Sequence, residues 1–295
     1  MKDTKPSRTA EYMALFRAVE SAEPPERRLF NDPYAIPLLS GTLRRLARIS
    51  GTHAGRWLVR RFLDLGWPYT RSSGVVRTRV IDDLVLQAIA AGAEQMVLLG
   101  AGFDSRAYRL PEARRIDIFE VDHPATQQAK RERLRALREK PRANVHFVDV
   151  DFETAKLEDE LARHGFDKDR RTIAVWEGVV SYLTKSAVDR NLAVLARLLA
   201  TGSRLIFTYM DRHAIDGSGA FRGARRWNFW VRFSGEPFIF GFDPVRLRSE
   251  LEPHGFILDQ DLSTAEAARR YRALNGREES GSEAYRIATA IRAGV

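Results

Sequence analysis

The chain is expected to fold as an α/β protein on a doubly wound, Rossmann-like sheet of about seven strands. Three observations carry this. Short apolar runs alternate with helical stretches from residue 96 onward, the order that builds a parallel sheet with right-handed crossovers. The first run, Met96 to Leu99, breaks on Gly100-Ala101-Gly102, a turn whose missing Cβ atoms let a ligand approach the backbone. Twenty residues past Gly102, the second run, Ile116 to Phe119, ends in Glu120-Val121-Asp122. An acid there is placed to accept hydrogen bonds from a ribose. Turn and acid together describe a nucleotide-type pocket at the carboxyl edge of the sheet.

Residues 1–92 read as a helical N-terminal extension and lid, and 93–295 as the core. Thr9 to Val19 carries its apolar residues on one face. Asp32-Pro33-Tyr34-Ala35 reads as a helix start, with Asp32 as N-cap and Pro33 in the first turn. Leu43 to Leu65 is a long amphipathic stretch, and Val76 to Ala91 is a helix feeding the first strand. The core then gives strand 96–99, a short helix after Ser105, strand 115–120, helix 124–139, strand 144–148, helix 155–164, strand 172–176, helix 185–200 and strand 203–209. The tail gives helix 243–253, strand 255–261, helix 263–273 and a last segment, 283–291, that fits an edge or antiparallel strand. Residues 211–241 are too long for a simple loop and read as an insertion. This insertion holds Phe221, Trp227, Phe229, Trp230, Phe233, Phe238 and Phe240, interleaved with Arg222, Arg225, Arg226 and Arg232. Two readings stand for it: a lid over a flat or acidic ligand, or a small core of its own.

Composition narrows the function. The chain has 295 residues, 44% of them hydrophobic, and no apolar run near the roughly 18 residues of a membrane span. Its first residues lack a signal-peptide core. A cytoplasmic protein with no membrane partner is the expectation. The absence of cysteine excludes disulfides, thiolate catalysis and Cys-ligated metal, and no metal site is expected. The net charge is +9 and mostly arginine. The densest basic run, Lys130 to Lys140, interleaves Glu132 and Glu139 and has no aromatic residue. It reads as a solvated helix rather than a base-stacking surface, so nucleic acid is not expected as a partner. The oligomeric state stays open, a homo-oligomer included.

A glycine turn and a distal acid would suit a dehydrogenase nearly as well, but the third glycine of that fingerprint is Ser105 here. Six motifs decide otherwise. They are D-P-Y-A at 32–35, R-T-R-V-I-D-D at 77–83, L-G-A-G-F-D-S-R at 99–106, F-E-V-D-H-P at 119–124, V-D-V-D-F-E at 148–153 and W-E-G-V-V-S-Y-L-T at 176–184. In this order they resemble the leucine carboxyl methyltransferase family, and its bacterial small-molecule O-methyltransferase branch in particular, from about Thr9 to Tyr209.

The resemblance implies a class I methyltransferase that uses S-adenosyl-L-methionine. It implies that Arg77 binds the cofactor carboxylate, Gly100 lies at the methionine end within the Gly100–Gly102 turn, and Asp122 holds the ribose. It further implies that Asp151 and Phe152 bracket the adenine, where the family often has Asp-Leu, that Glu177 lies near the cofactor amino group, and that Arg17 is a basic residue of the N-terminal lid. The residue types suit the groups: a planar guanidinium fork for a carboxylate, and carboxylates for a diol and an ammonium. Plainer readings stand beside them. Arg77 shares its segment with Arg71 and Arg79, as on a solvated helix face. Asp151 is in position to cap the next helix, Glu120 competes with Asp122 or turns into the fold, and Asp104 suits an Asx turn.

No catalytic base is visible. Tyr209 and His213 follow or end the fifth strand and are the candidates to orient or deprotonate an acceptor. A carboxylate acceptor needs no base at neutral pH, whereas a phenol does. The expected activity is O-methylation of a carboxylate or hydroxyl on a small molecule, such as an aromatic natural product of secondary metabolism. The alternatives are methylation of a protein C-terminal carboxylate and a cofactor-binding protein without turnover.

Overall fold

The computed structural model describes residues 7–137, 142, 144–150, 157–219, 221, 238–276 and 279–294. Four helices precede the first strand: α1 (Arg8–Ser21), α2 (Gly41–Ile49), α3 (His53–Gly66) and α4 (Thr70–Ala90). The alternating part follows as β1 (Gln95–Leu99), α5 (Arg106–Arg109), β2 (Asp117–Asp122), α6 (Pro124–Arg135), β3 (Val145–Asp149), α7 (Leu157–Arg163), β4 (Thr172–Trp176), α8 (Lys185–Leu198) and β5 (Arg204–Met210). A short α9 (Arg212–Ile215), α10 (Leu247–Leu251), β6 (Phe256–Ser263), α11 (Thr264–Asn275) and β7 (Tyr285–Arg292) complete the described chain.

The seven strands form one sheet in the order β3-β2-β1-β4-β5-β7-β6. Strands β1 to β5 are parallel, and β7 runs antiparallel between β5 and β6. The expected doubly wound α/β sheet is therefore what the chain forms. The last segment is antiparallel as expected but lies inside the sheet, where β6 takes the edge. Alternation along each strand makes two cores. Met96, Leu98, Ile173, Val175 and Ile206 face α1 and α4. Val97, Leu99, Ala174, Trp176 and Phe207 face α7, α8 and α10.

Strand order reverses between β1 and β4, so the connections that follow them leave to opposite faces of the sheet, the arrangement that forms a crevice outside their carboxyl ends. The loops after β1, β2 and β4 line it.

Some local expectations need correction. The stretch from Leu43 to Leu65 is two helices, because Ser50-Gly51-Thr52 interrupts it and Thr52 caps α3 by accepting from the Gly55 N–H. Asp32-Pro33-Tyr34-Ala35 forms turns and no α-helix. Asp32 does accept from the Tyr34 N–H at 3.0 Å, as a cap would, but its other oxygen is held by Arg17 and Ser105. Helix α4 begins six residues earlier than Val76. The basic run from Lys130 is not simply a solvated face. Lys130 is buried and lies 2.7 Å from Glu120, and Arg133 stacks on Phe103 and donates to the Leu38 carbonyl.

Candidate functional site

The site is built on two glycine turns that face each other across the crevice. After β1, Gly100 and Gly102 adopt φ of +68° and +49°, the left-handed region that L side chains avoid. A Cβ at Gly100 would stand 2.6 Å from Cγ2 of Val179, and one at Gly102 would stand 3.1 Å from Cβ of Ala10. The first contact comes from the loop after β4 and the second from α1, so both neighbours require the missing side chains. After β4, Gly178 has φ +70° and donates its N–H to Thr208 on β5 at 2.8 Å. Gly100→Ala is expected to lower stability by about 2 kcal/mol through strain and clash, measurable as a shifted urea midpoint at an unchanged slope.

Asp122 closes β2 as the spacing foretold. One carboxylate oxygen accepts the Gly102 N–H at 2.5 Å and the other accepts the His123 N–H at 2.6 Å. The acid thus pins the glycine loop while each oxygen keeps a second lone pair. Burial pushes its pKa up, against the opposing pull of those two N–H groups. Glu120 does not compete for the crevice: it is fully buried against Lys130 on the inner side of the fold. His123 caps α6, its Nδ1 accepting from the Ala125 N–H at 3.3 Å.

Arg77 lies on α4 and is buried, not solvated. Its Nε donates to Glu177 Oε1 at 2.6 Å, and an Nη donates to the Tyr285 hydroxyl at 2.5 Å. That hydroxyl also meets Thr208 Oγ1 at 3.0 Å. The guanidinium lies 3.6 Å from where a Cβ of Gly178 would be, an ordinary contact, so the positive φ rather than a clash is what favours glycine there. The second oxygen of Glu177 is held by Arg106 at 2.7 Å.

Arg106 is the hub that sequence reasoning missed. It is almost wholly buried and pairs with Asp82 at 2.8 Å, with Glu177 and with Asp104. Arg109 completes the cluster on Asp82 at 2.6 Å. Arg77, Arg106 and Arg109 therefore face Asp82, Asp104 and Glu177, a balanced set in which each buried charge has a partner. Arg106 was inside a quoted motif, but only the folded chain brings Asp82 and Glu177 to it. Tyr285 lay outside every motif.

The charges shift accordingly. Burial alone would raise Asp104, yet the Arg106 guanidinium wins and holds it at about 2. Glu177 is likewise held below the usual carboxylate range by Arg106 and Arg77 in spite of burial. A carboxylate with a depressed folded pKa stabilises the fold above its unfolded pKa and loses that contribution as pH falls through the folded value. The Asp104 contribution is therefore complete above about pH 4 and disappears between about pH 4 and 2. Acid titration of Asp104→Asn, followed by circular dichroism, is expected to show a shallower loss of stability across that window. As foreseen, Asp104 also makes an Asx turn, accepting the Arg106 N–H at 2.7 Å.

Arg17 is buried behind the glycine loop. Its Nε pairs with Asp32 at 2.7 Å and an Nη donates to the Phe103 carbonyl at 2.5 Å, so it ties α1 and the 32–35 turn to that loop. Tyr209 is fully buried, and its hydroxyl donates to Asp261 on β6 at 2.9 Å. Its ring packs among Phe207 and Phe242 on the α8 side of the sheet, away from the α4 side that holds Arg77. His213 stands on α9, half exposed, with Nδ1 3.0 Å from Asp211 Oδ1. Asp151 and Phe152 lie outside the described residues, as does most of the 211–241 insertion. Of that insertion, Phe221 and Phe238 pack on a cluster of Met210, Ala214, Ala284 and Tyr285, and the Phe238 ring lies 5.2 Å from that of Tyr182. Among the described residues there is no group of acids and histidines that could hold a metal ion, and no helix long and apolar enough to cross a membrane.

This chemistry suits a zwitterion and a diol in one crevice. A charge-balanced cluster of guanidinium and carboxylate groups can take an amino-acid end without adding net buried charge, and Asp122 offers two acceptors to vicinal hydroxyls. Such a crevice on a 3-2-1-4-5-7-6 sheet is the architecture of class I methyltransferases. The same fold occurs in a Thermobifida fusca crystal structure described as a "putative methyltransferase", with a TM-score of 0.62 at 18% identity over 99% of this chain and 97% of that one. It occurs again in a DUF574 family protein of Streptomyces avermitilis, with a TM-score of 0.53 at 13% identity over 94% and 96%.

The chain belongs to the leucine carboxyl methyltransferase family, whose model matches residues 10–196. A Mycobacterium tuberculosis relative named "Putative S-adenosyl-L-methionine-dependent methyltransferase" is 37% identical over 211 residues, 67% of this chain and 56% of that protein. The match thus spans little more than half of the relative's length. A Frankia alni protein of the same description is 35% identical over 73% of this chain and 71% of its own.

Proposed function

We propose that this protein is an S-adenosyl-L-methionine-dependent O-methyltransferase acting on a carboxylate or hydroxyl of a small molecule. One observation carries the reading. Tyr285 joins two environments: its hydroxyl accepts from Arg77, while the residue packs with Met210, Ala214 and Phe238. In this reading the amino-acid end of the cofactor and the apolar surroundings of the acceptor meet at this side chain.

In this reading Arg77 holds the cofactor carboxylate, Glu177 accepts from its ammonium, and Asp122 accepts from the ribose diol. Gly100 and Gly102 leave room for the methionine end, and Asp151 and Phe152 flank the adenine. Arg17 serves indirectly, by holding the glycine loop through the Phe103 carbonyl. S-adenosyl-L-methionine, when bound, would supply an electrophilic methyl: an acceptor oxygen would bond to the methyl carbon as its bond to the sulfonium sulfur breaks, and S-adenosylhomocysteine would leave as a neutral thioether. The remaining contribution of the chain is positioning and exclusion of water. His213 is the candidate base. Asp211 orients its Nδ1, which leaves Nε2 to take a proton from a hydroxyl acceptor. Tyr209, committed to Asp261, is left as a structural residue.

The test is incubation with S-adenosyl-L-methionine and a panel of aromatic acids and phenols, read by mass spectrometry. Gain of one methyl group on a small acceptor supports the reading. A product lost in mild base is an ester, and a stable one is an ether. Methylation of a peptide C-terminus with no transfer to small acceptors would replace this reading with the protein carboxyl methyltransferase.

A further inference from the structure

Helix α3 is apolar on two opposite sides. Val59 and Leu63 are buried and dock it on the protein. Trp57, Leu58, Phe62 and Leu65 stand on the other side, exposed by 62%, 59%, 57% and 59%. Leu58, Phe62 and Leu65 recur about one helical turn apart on one outward face, and Trp57 borders it. A surface helix normally turns polar residues to water, and clustered exposed apolar side chains mark a place of contact.

The charge carried by α3 and by α2, which packs against it, is one-sided. Residues 41–66 contain six arginines and one acid, Asp64. Arg71 of α4 takes both oxygens of that acid. Arg44 is occupied by the carbonyls of Leu39 and Pro37, and Arg56 and Arg60 by Glu23. Arg45, Arg48 and Arg61 remain exposed, with no carboxylate partner among the described residues. Arg61 lies over the Trp57 ring at 5.9 Å. A second copy of the chain fits poorly, because a two-fold contact sets this face against itself and brings unpaired arginines together. An anionic surface with an apolar interior fits both features.

We propose that α3, flanked by the arginines of α2, is a peripheral docking face for anionic lipid bilayers. The helix has 14 residues, about 21 Å, too short to span a bilayer and suited to lying in its surface. The apolar side chains enter the acyl boundary, Trp57 sits at headgroup depth, and Arg45, Arg48 and Arg61 meet lipid phosphates. This inference stands independently of the methyl-transfer reading.

The full chain would be mixed with phosphatidylcholine vesicles, with and without phosphatidylglycerol, and sedimented. The expected result is at least about tenfold stronger binding to the anionic vesicles, weakened when ionic strength is raised from about 0.05 to about 0.5 M. Brominated lipids should quench wild-type fluorescence more than that of Trp57→Phe. The double variant Trp57→Ser/Phe62→Ser should lose binding while remaining folded by circular dichroism, because both side chains are more than half exposed. Equal binding to neutral and anionic vesicles, or none, would overturn the proposal. So would a wild-type dimer that the double variant dissociates, or binding to an acidic polypeptide without binding to vesicles.

Discussion

Asp122→Ala is expected to weaken S-adenosylhomocysteine binding about 100-fold. Both oxygens of Asp122 face backbone N–H groups of the loops that border the crevice, and each keeps a lone pair for a ribose hydroxyl. Two hydrogen bonds to a charged group contribute about 1.5 to 3 kcal/mol each. After allowance for water that partly replaces the carboxylate, about 3 kcal/mol is lost, which corresponds to that factor. Calorimetric titration measures it. Asp122→Asn should lie between, because the amide retains one acceptor while losing the charge. An affinity within threefold of wild type for the alanine variant would remove Asp122 from the site. Melting curves of both variants separate this from collapse of the Gly102 loop.

Arg106→Met is expected to lower global stability by about 3 to 5 kcal/mol, the cost of leaving buried carboxylates without their cation. Methionine fills much of the volume, so the loss reports charge rather than a cavity. Asp104 suffers most, because Arg109 still holds Asp82 and Arg77 still holds Glu177. In a chain of this size that corresponds to a melting temperature lower by about 10 °C. Adding Asp104→Asn to Arg106→Met should restore part of it, and the double-mutant cycle gives the coupling. If the single variant melts within about 2 °C of wild type, the cluster contributes little to the fold.

Asp122 and Arg106 differ in how much of their role the sequence carries. Asp122 was readable because its evidence is local: a strand, an acid at its end and a glycine turn at fixed spacing before it. Gly100 was readable for the same reason, since a turn without Cβ atoms leaves its mark in the sequence. Arg77 needed the motif, because a helix with three arginines looks solvated until its burial against Glu177 and Tyr285 is seen. Arg106 was quoted within a motif yet given no role. Its partners Asp82 and Glu177 lie 24 and 71 residues away, and no periodicity encodes that convergence.

Lys130 failed in the opposite direction. Surrounded by arginines, it reads as a surface charge, but its helical position turns it inward to Glu120. The break at Ser50-Gly51-Thr52 was available as a turn signal and was outweighed by the apolar periodicity on either side. Tyr209 shows the limit of placing side chains by strand position alone. Neighbouring residues on β5 face opposite sides of the sheet: Thr208 reaches Tyr285 in the crevice network, while Tyr209 turns to the α8 core and Asp261.

The most direct test of the methyltransferase reading is calorimetric titration of S-adenosylhomocysteine into the wild-type protein. One site per chain is expected, with a dissociation constant in the micromolar range, about −8 kcal/mol. No measurable heat and no thermal stabilisation at millimolar ligand would contradict it, because a folded crevice holding Arg77, Glu177 and Asp122 would then not be a cofactor site.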